Sequence, residues 1–163
     1  MRDLAWLAAP ASAELARRAG LPAAGLPGCP ATGLHQGQAA ALAAWLGGRL
    51  PTSAEWEWMA GQGVRRYPWG DAEPARAHAN LRGLGPGRPV PSGRHALGMT
   101  PEGLADVAGN VWEWTSTPVP GGGAVVRGGS YNSLALYAQC DFTSEIPAAT
   151  ISPGIGVRVV RDL

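Results

Sequence analysis

The chain has 163 residues, a formal net charge of +1 and a hydrophobic fraction of 45%. This length predicts one domain with a sizeable core, and the near-neutral charge gives no electrostatic reason to expect nucleic acid as a partner. No apolar run reaches the roughly 20 residues that a bilayer-spanning helix needs. Membrane insertion is therefore not expected.

Residues 1–27 are predicted to form a short N-terminal segment ahead of one domain at 28–163. Within this segment Ser12 is a suitable N-cap for a short helix that runs to about Arg18. The apolar run after Arg2 is short and is interrupted by Asp3, so a cleaved signal peptide is not expected. The cellular location stays open, with the cytoplasm as the default.

Two further helices are predicted, at 35–47 and at 52–60. Ala39, Leu42 and Leu46 share one face of the first, and glycines at 47 and 48 end it. Thr52 begins the second, with Glu55 three residues on, which is the capping-box pattern. After Gly61 the chain is dominated by turn residues, and the strands predicted there are 124–127 and 156–161.

Several motifs recur in a fixed order: WLGGRLPTSAEWEW at 45–58, YPWG at 67–70, ANL at 79–81, GLADVAGNVWEWT at 103–115, RGGS at 127–130 and GVR at 156–158. In order and spacing they closely resemble the formylglycine-generating-enzyme, or sulfatase-modifying factor, superfamily, from about residue 28 to the C-terminus. The resemblance implies an α+β, C-type-lectin-like fold with two helices, a small twisted antiparallel sheet and long ordered loops.

A loop-rich chain needs side chains that hold its loops in place. Seven tryptophans beside a single phenylalanine suit this purpose, because each combines a large apolar area with one hydrogen-bond donor. Arginines are expected to bind Glu55, Glu57 or backbone carbonyls. The residues predicted in these roles are Trp56, Trp58, Trp69, Trp112 and Trp114, with Arg49, Arg127 and Arg158.

The resemblance also implies one structural calcium ion. Its ligands would be the side chain of Asp106, the backbone carbonyls of Gly109 and Val111, and the carboxylate of Glu113, a set of hard oxygen donors that suits Ca²⁺. The alternative is that Glu113 only caps neighbouring amides. A second calcium site of the superfamily is not expected, because the loop at 82–88 contains no acidic residue.

The sequence does not predict an enzyme. Formylglycine-generating members use two cysteines after the GGS motif to hold copper, and these positions correspond to Ser133 and Ala138, which cannot supply thiolates. The sulfoxide synthases of the superfamily use three histidines, whereas the histidines here are scattered at 35, 78 and 95. Cys29 and Cys140 could pair or remain separate buried thiols. The alternative is a divergent, oxygen-dependent and metal-assisted enzyme with altered catalytic residues.

The chain is most similar to the non-enzymatic variable proteins of diversity-generating retroelements. In these proteins error-prone reverse transcription rewrites adenines of mostly Asn codons in the C-terminal loop, which excludes Lys, Glu, Gln, Met and Trp. Glu145 lies outside that set, and some aliphatic residues of the loop could instead be core. The predicted partner is an unknown protein or other macromolecule, bound by a monomer. The predicted contact residues are Tyr131, Asn132, Ser133, Leu134, Leu136, Tyr137, Phe142, Ser144, Ile146, Ala149 and Ile151.

Overall fold

A computed structural model describes residues 3–163 of the chain. The helices are α1 (Ala13–Arg18), α2 (Gln36–Trp45) and α3 (Ser53–Gly61), with 3₁₀ turns at Ala96–Gly98 and Ala135–Ala138. The strands are β1 (Leu4–Trp6), β2 (Trp112–Val119), β3 (Gly123–Arg127), β4 (Ser144–Pro147), β5 (Ile155–Gly156) and β6 (Val160–Asp162).

All three predicted helices are present, and local capping explains where each begins. Ser12 accepts the amide of Leu15 at 3.3 Å and so caps α1 as predicted. At α3 the capping box is complete: Thr52 Oγ1 accepts the amide of Glu55, and the Glu55 carboxylate accepts the amide of Thr52. His35, predicted inside α2, instead forms the same kind of box as its N-cap.

The strands form a four-stranded sheet in the order β4-β3-β2-β5 and a separate antiparallel pair, β1-β6. The larger sheet is antiparallel except for a short parallel pairing of β2 with β5. The predicted strand at 156–161 is divided between the two sheets, because residues 157 and 159 accept hydrogen bonds from Ala11 and Leu7. The strands β1, β2 and β4 were not predicted.

One main core lies between the helices and the larger sheet. Leu42, Trp114 and Val157 are fully buried in it, and Ala11 and Ala16 from the N-terminal part of the chain belong to the same cluster. Side chains from residues 7–23 therefore pack on the core of the domain. Among the described helices none has the length and hydropathy to cross a membrane.

Candidate ligand-binding face

A buried arginine connects the C-terminal loop to helix α3. The Nε and Nη2 atoms of Arg127 donate to Ser53, at 2.8 Å to Oγ and 3.3 Å to the carbonyl, and Nη2 also donates to Glu57 Oε2 at 2.7 Å. Nη1 donates to the carbonyls of Cys140 and Phe142, at 3.2 and 3.1 Å. These bonds confirm the predicted role of Arg127 and fix the loop that carries Phe142.

The residues at 127–130 and 154–158, which we call the frame, are all buried. Gly128 shows why the frame tolerates little change. It has a φ of +95°, and a Cβ atom built on it would lie 2.6 Å from the Val107 carbonyl oxygen and 3.2 Å from the Trp56 ring. A side chain at this position would be strained in its backbone and would also collide with backbone.

We expect Gly128→Ala to lower the free energy of unfolding by more than about 2 kcal/mol, because it adds a steric clash to backbone strain of about 1–3 kcal/mol. Gly121→Ala is a matched control, since Gly121 has a φ of +87° with no atom within 4 Å of the added Cβ. Urea unfolding measures the loss of unfolding free energy in each variant, and the difference between the two losses gives the cost of the steric clash. Equal losses would contradict the close packing at Gly128.

Ser133 was predicted as a contact residue, and this prediction is wrong. The residue is only 6% exposed, and its Oγ accepts the amide of Ser130 at 2.9 Å. Its carbonyl accepts the amide of Arg82. Ser133 therefore stabilises the turn after the frame instead of facing a ligand.

Most other predicted contact residues reach the surface. Leu134, Leu136 and Ile151 are 52%, 54% and 64% exposed, which excludes the alternative that Leu134 and Leu136 are core. Ile146 is half-buried and packs against the main core, so for this residue the core alternative is largely correct. We define the C-terminal face as the exposed or half-buried residues Tyr131, Asn132, Leu134, Leu136, Tyr137, Phe142, Ser144, Ala149 and Ile151, together with Trp112.

Trp112 belongs to this face although it was predicted only to hold loops. Its ring contacts Tyr137 edge-to-face, with centroids 6.1 Å apart, and Phe142 at 6.4 Å. Tyr137 and Phe142 meet edge-to-face at 4.7 Å. All three rings are half-buried. The face therefore has a partly exposed aromatic centre that includes one ring from the sheet.

Glu113, which follows Trp112 in β2, forms a fully buried ion pair with Arg158. Both of its oxygens accept hydrogen bonds from Arg158, at 2.9–3.1 Å, and Oε2 also accepts from Trp56 Nε1 at 2.6 Å. Arg158 in turn donates to the carbonyls of Leu7 and Ala105. Glu113 and Arg158 are each 0% exposed. The predicted bonds of Arg158 to backbone carbonyls are confirmed, but its carboxylate partner is Glu113 and neither Glu55 nor Glu57.

The other predicted calcium ligands lie in the sharp turn before β2. Asp106 and Asn110 have positive φ angles; Asp106 Oδ2 accepts the amide of Gly93 at 2.7 Å, and the Gly109 carbonyl accepts the amide of Val111. With both Glu113 oxygens bound to a guanidinium, an ion would have to displace Arg158. The ligand set in this arrangement does not fit calcium, in disagreement with what the resemblance implies.

Removal of divalent cations with a chelator tests whether the protein binds a structural calcium ion. Because Arg158 already satisfies Glu113, we expect EDTA to leave the melting temperature of the purified protein unchanged. A bound ion stabilises the native state in proportion to the logarithm of its free concentration. A fall of several degrees with EDTA that excess Ca²⁺ reverses would establish a calcium site.

The positions of the catalytic cysteines implied by the resemblance are both buried, at Ser133 and Ala138. Cys140 is buried without a disulfide, and burial raises the pKa of its thiol to about 12. Cys29 is also a free thiol, so the two cysteines do not pair. Among residues 3–163 no group of three His, Cys, Asp or Glu side chains is placed to hold a metal.

A family model described as the sulfatase-modifying factor enzyme 1-like domain matches residues 6–163. The chain belongs to this family. A curated family relative, the hercynine oxygenase of Mycolicibacterium thermoresistibile, is 49% identical over 87 residues, which cover 50% of this chain and 19% of that protein. The formylglycine-generating enzyme of Streptomyces coelicolor is 38% identical over 172 residues, covering 85% of this chain and 54% of that enzyme.

Among solved structures, variable protein 1 of Treponema denticola superposes with a TM-score of 0.61 and 26% identity, over 71% of this chain and 48% of that one. The α+β, C-type-lectin-like fold is thereby confirmed. This chain spans about half the length, or less, of each of these three proteins. The chain is therefore similar in sequence to named enzymes and in structure to a variable protein.

Proposed function

We propose that this domain is a non-enzymatic binding protein that contacts a macromolecular ligand through the C-terminal face. The observation that carries this proposal is that the C-terminal segment exposes Leu134, Leu136 and Ile151 and also carries Tyr137 and Phe142 of the partly exposed aromatic centre. Exposed aliphatic and aromatic side chains that cluster on one face are typical of interaction surfaces. Asn132 and Ser144 add small polar groups, a mixture that binding loops commonly use.

The packing beneath the face supports the same proposal. Arg127 fixes the loop backbone from below, through bonds to the carbonyls of Cys140 and Phe142. Those bonds do not involve the exposed side chains. The side chains can therefore change with little effect on the backbone that presents them, which is the property that a variable binding surface requires.

We further propose that a diversity-generating retroelement diversifies this face. The DNA that flanks the gene tests this proposal directly. We expect a reverse-transcriptase frame and a near-copy of the codons for residues 127–160, with adenines in the copy wherever the two differ. The differing codons should fall on residues of the C-terminal face and spare Arg127 and Arg158. Differences scattered over frame codons, or no copy at all, would contradict diversification.

An oxygen-dependent, metal-assisted enzyme is the second candidate, favoured by the names of the two curated relatives. Its chemistry would have to use groups other than thiolates at 133 and 138, since serine and alanine stand there. Oxygen uptake by the purified protein loaded with Cu(I) or Fe(II), in the presence of a thiol substrate, tests it. Uptake above that of the free metal would support the enzyme; uptake equal to it would support the binding protein.

A further inference from the structure

Positive charge is concentrated in one segment of the chain. Residues 74–101 contain arginines at 76, 82, 88 and 94 and none of the 12 acidic residues. Because the whole chain has a net charge of +1, the residues outside this segment are negative in sum. All four arginines are exposed, and the function proposed above does not account for them.

The arginines of this segment lack the carboxylate partners that other arginines have. Arg49 binds Glu55 at 2.8 Å, as predicted, and Arg65 binds Glu102 at 3.0 Å. None of the four arginines at 74–101 forms an ion pair with a carboxylate in the described part of the chain. Their charges therefore remain available to a ligand.

One of these arginines, Arg82, borders the C-terminal face. Its amide donates to the carbonyl of Ser133 at 3.0 Å, and its Nε atom donates to Asn132 Oδ1 at 3.4 Å. Asn132 belongs to the face, and Leu134, two residues further on, is 52% exposed. The Nη1 and Nη2 atoms of Arg82 make no hydrogen bond within residues 3–163, so its guanidinium group can still bind a carboxylate.

Residues 82–88, which we call the arginine loop, are fixed next to the face by two buried asparagines. Asn80 Nδ2 donates to the carbonyl of Arg88 at 2.9 Å and to Asn110 Oδ1 at 3.0 Å. The carbonyl of Asn110 accepts the amide of Tyr131, a residue of the face, at 3.0 Å. Both asparagines are 1% exposed. This pair therefore joins the end of the arginine loop to the C-terminal face.

We propose that Arg82 and Arg88 are fixed contacts for an acidic protein ligand, one whose surface presents carboxylates beside an apolar patch. This inference rests on the proposed function, because the apolar patch would bind the C-terminal face. A guanidinium group presents its donors in a fork that matches a carboxylate. Charges at the edge of an interface select the partner and speed its association. Both arginines lie outside residues 127–160, so diversification of the face would leave this charge preference unchanged.

A protein fits this surface better than a single-stranded nucleic acid. Proteins that bind single strands combine basic side chains with aromatic rings on which the bases stack, whereas residues 79–94 contain no aromatic residue. The most exposed indole rings lie on α2 and α3, where Trp45 is 49% and Trp58 43% exposed. The prediction that Trp58 holds a loop is therefore wrong. Next to Arg82 the face presents the aliphatic side chain of Leu134, which suits a protein surface.

Short labelled peptides test the charge preference. Each repeats one leucine followed by two glutamates, two glutamines or two lysines, and an oligothymidylate with the net charge of the glutamate peptide is the nucleic-acid probe. Fluorescence anisotropy at low ionic strength measures the binding of each probe. We expect the glutamate peptide to bind about tenfold more tightly than the glutamine peptide, and the lysine peptide to bind most weakly. Added salt should reduce this preference, because it screens exposed charges.

Variants of the arginine loop test which residues cause the preference. Arg82→Gln and Arg88→Gln should each weaken binding of the glutamate peptide about threefold and leave that of the glutamine peptide unchanged. Arg18→Gln is the matched control, because Arg18 is an exposed arginine in the last turn of α1. It removes the same charge from a different surface, so it should leave the binding of both peptides unchanged.

Leu136→Ser separates this inference from the proposed function. Leu136 is 54% exposed on the C-terminal face, so its loss should weaken binding of the glutamate and glutamine peptides equally. Weaker binding with Leu136→Ser but not with the arginine variants would support the face and overturn the arginine contacts. Weaker binding with the arginine variants alone would support those contacts and contradict the binding function of the face.

Three further results would each overturn the proposal. The first is equal binding of the glutamate and glutamine peptides, which includes no binding of either. The second is an effect of Arg18→Gln as large as that of Arg82→Gln, because the preference would then reflect overall charge. The third is binding of the oligothymidylate as tight as that of the glutamate peptide, which would indicate a nucleic-acid surface.

Discussion

Glu113→Ala is expected to lower the free energy of unfolding by about 3–5 kcal/mol, because it leaves a buried guanidinium without a counter-charge. Arg158 is 0% exposed and directs three contacts of 2.9–3.1 Å at this carboxylate. The variant also removes the acceptor of the Trp56 indole N–H. This pair joins β2 to the segment between β5 and β6, so its loss affects both sheets.

Urea unfolding followed by circular dichroism measures the effect. Glu73→Ala is the control, because Glu73 pairs with Arg66 at the surface and its side chain is 70% exposed; about 1 kcal/mol or less is expected there. The double variant Glu113→Leu with Arg158→Met should recover part of the loss, since no isolated charge remains buried. If Glu113→Ala costs no more than Glu73→Ala, the buried pair does not hold the frame.

Arg127→Met is expected to lower the free energy of unfolding by about 3 kcal/mol or more, and to loosen the loop of the C-terminal face. Methionine keeps the apolar stem but removes the donors to Ser53, Cys140 and Phe142. A buried acceptor left without a partner costs about 1–3 kcal/mol. The carbonyls of Cys140 and Phe142 lose their donor in this variant, which is the reason to expect a looser loop.

Hydrogen exchange separates the local effect from the global one. In Arg127→Met the amides of Cys140 and Phe142, which bond to Arg66 and Gln139, should exchange faster than the overall loss of stability explains. Arg82→Met is the matched control: Arg82 is an exposed arginine that donates to Asn132 at 3.4 Å, and less than about 0.5 kcal/mol is expected. Unchanged protection at 140 and 142 would show that Arg127 does not fix the loop.

The helices could be predicted from the sequence because their signals are local. Ser12 and Thr52 each accept the amide of the residue three positions on. A few neighbouring residues are therefore enough to predict where each helix begins. The strand β2 could not be predicted in this way. Its residue Glu113 is charged yet buried, because Arg158, 45 residues away, satisfies it. Because a charged residue occupies this buried position, β2 lacks the alternation of apolar and polar residues that predicts a strand.

In the candidate site, too, the features marked by local sequence motifs could be predicted, whereas those that depend on tertiary contacts could not. The RGGS and GVR motifs located the frame correctly, and all but one of the predicted contact residues are exposed or half-buried. Ser133 was misplaced because its turn packs against a segment distant in sequence, where the amide of Arg82 donates to the Ser133 carbonyl. Trp112 was missed because its contact with Tyr137 spans two elements that are distant in sequence. Side-chain direction at both positions is set by tertiary structure.

We propose that the C-terminal face binds ligands on a backbone that does not depend on the side chains of the face. Two displayed libraries test it most directly, one randomised at Leu134, Leu136, Tyr137, Phe142 and Ile151, the other at the control residues Leu26, Val64 and Leu97, which are exposed elsewhere. We predict that both libraries fold, measured by protease resistance, and that only the first yields binders to a panel of unrelated proteins. A face library that is mostly unfolded, or binders appearing equally often in both libraries, would contradict the account.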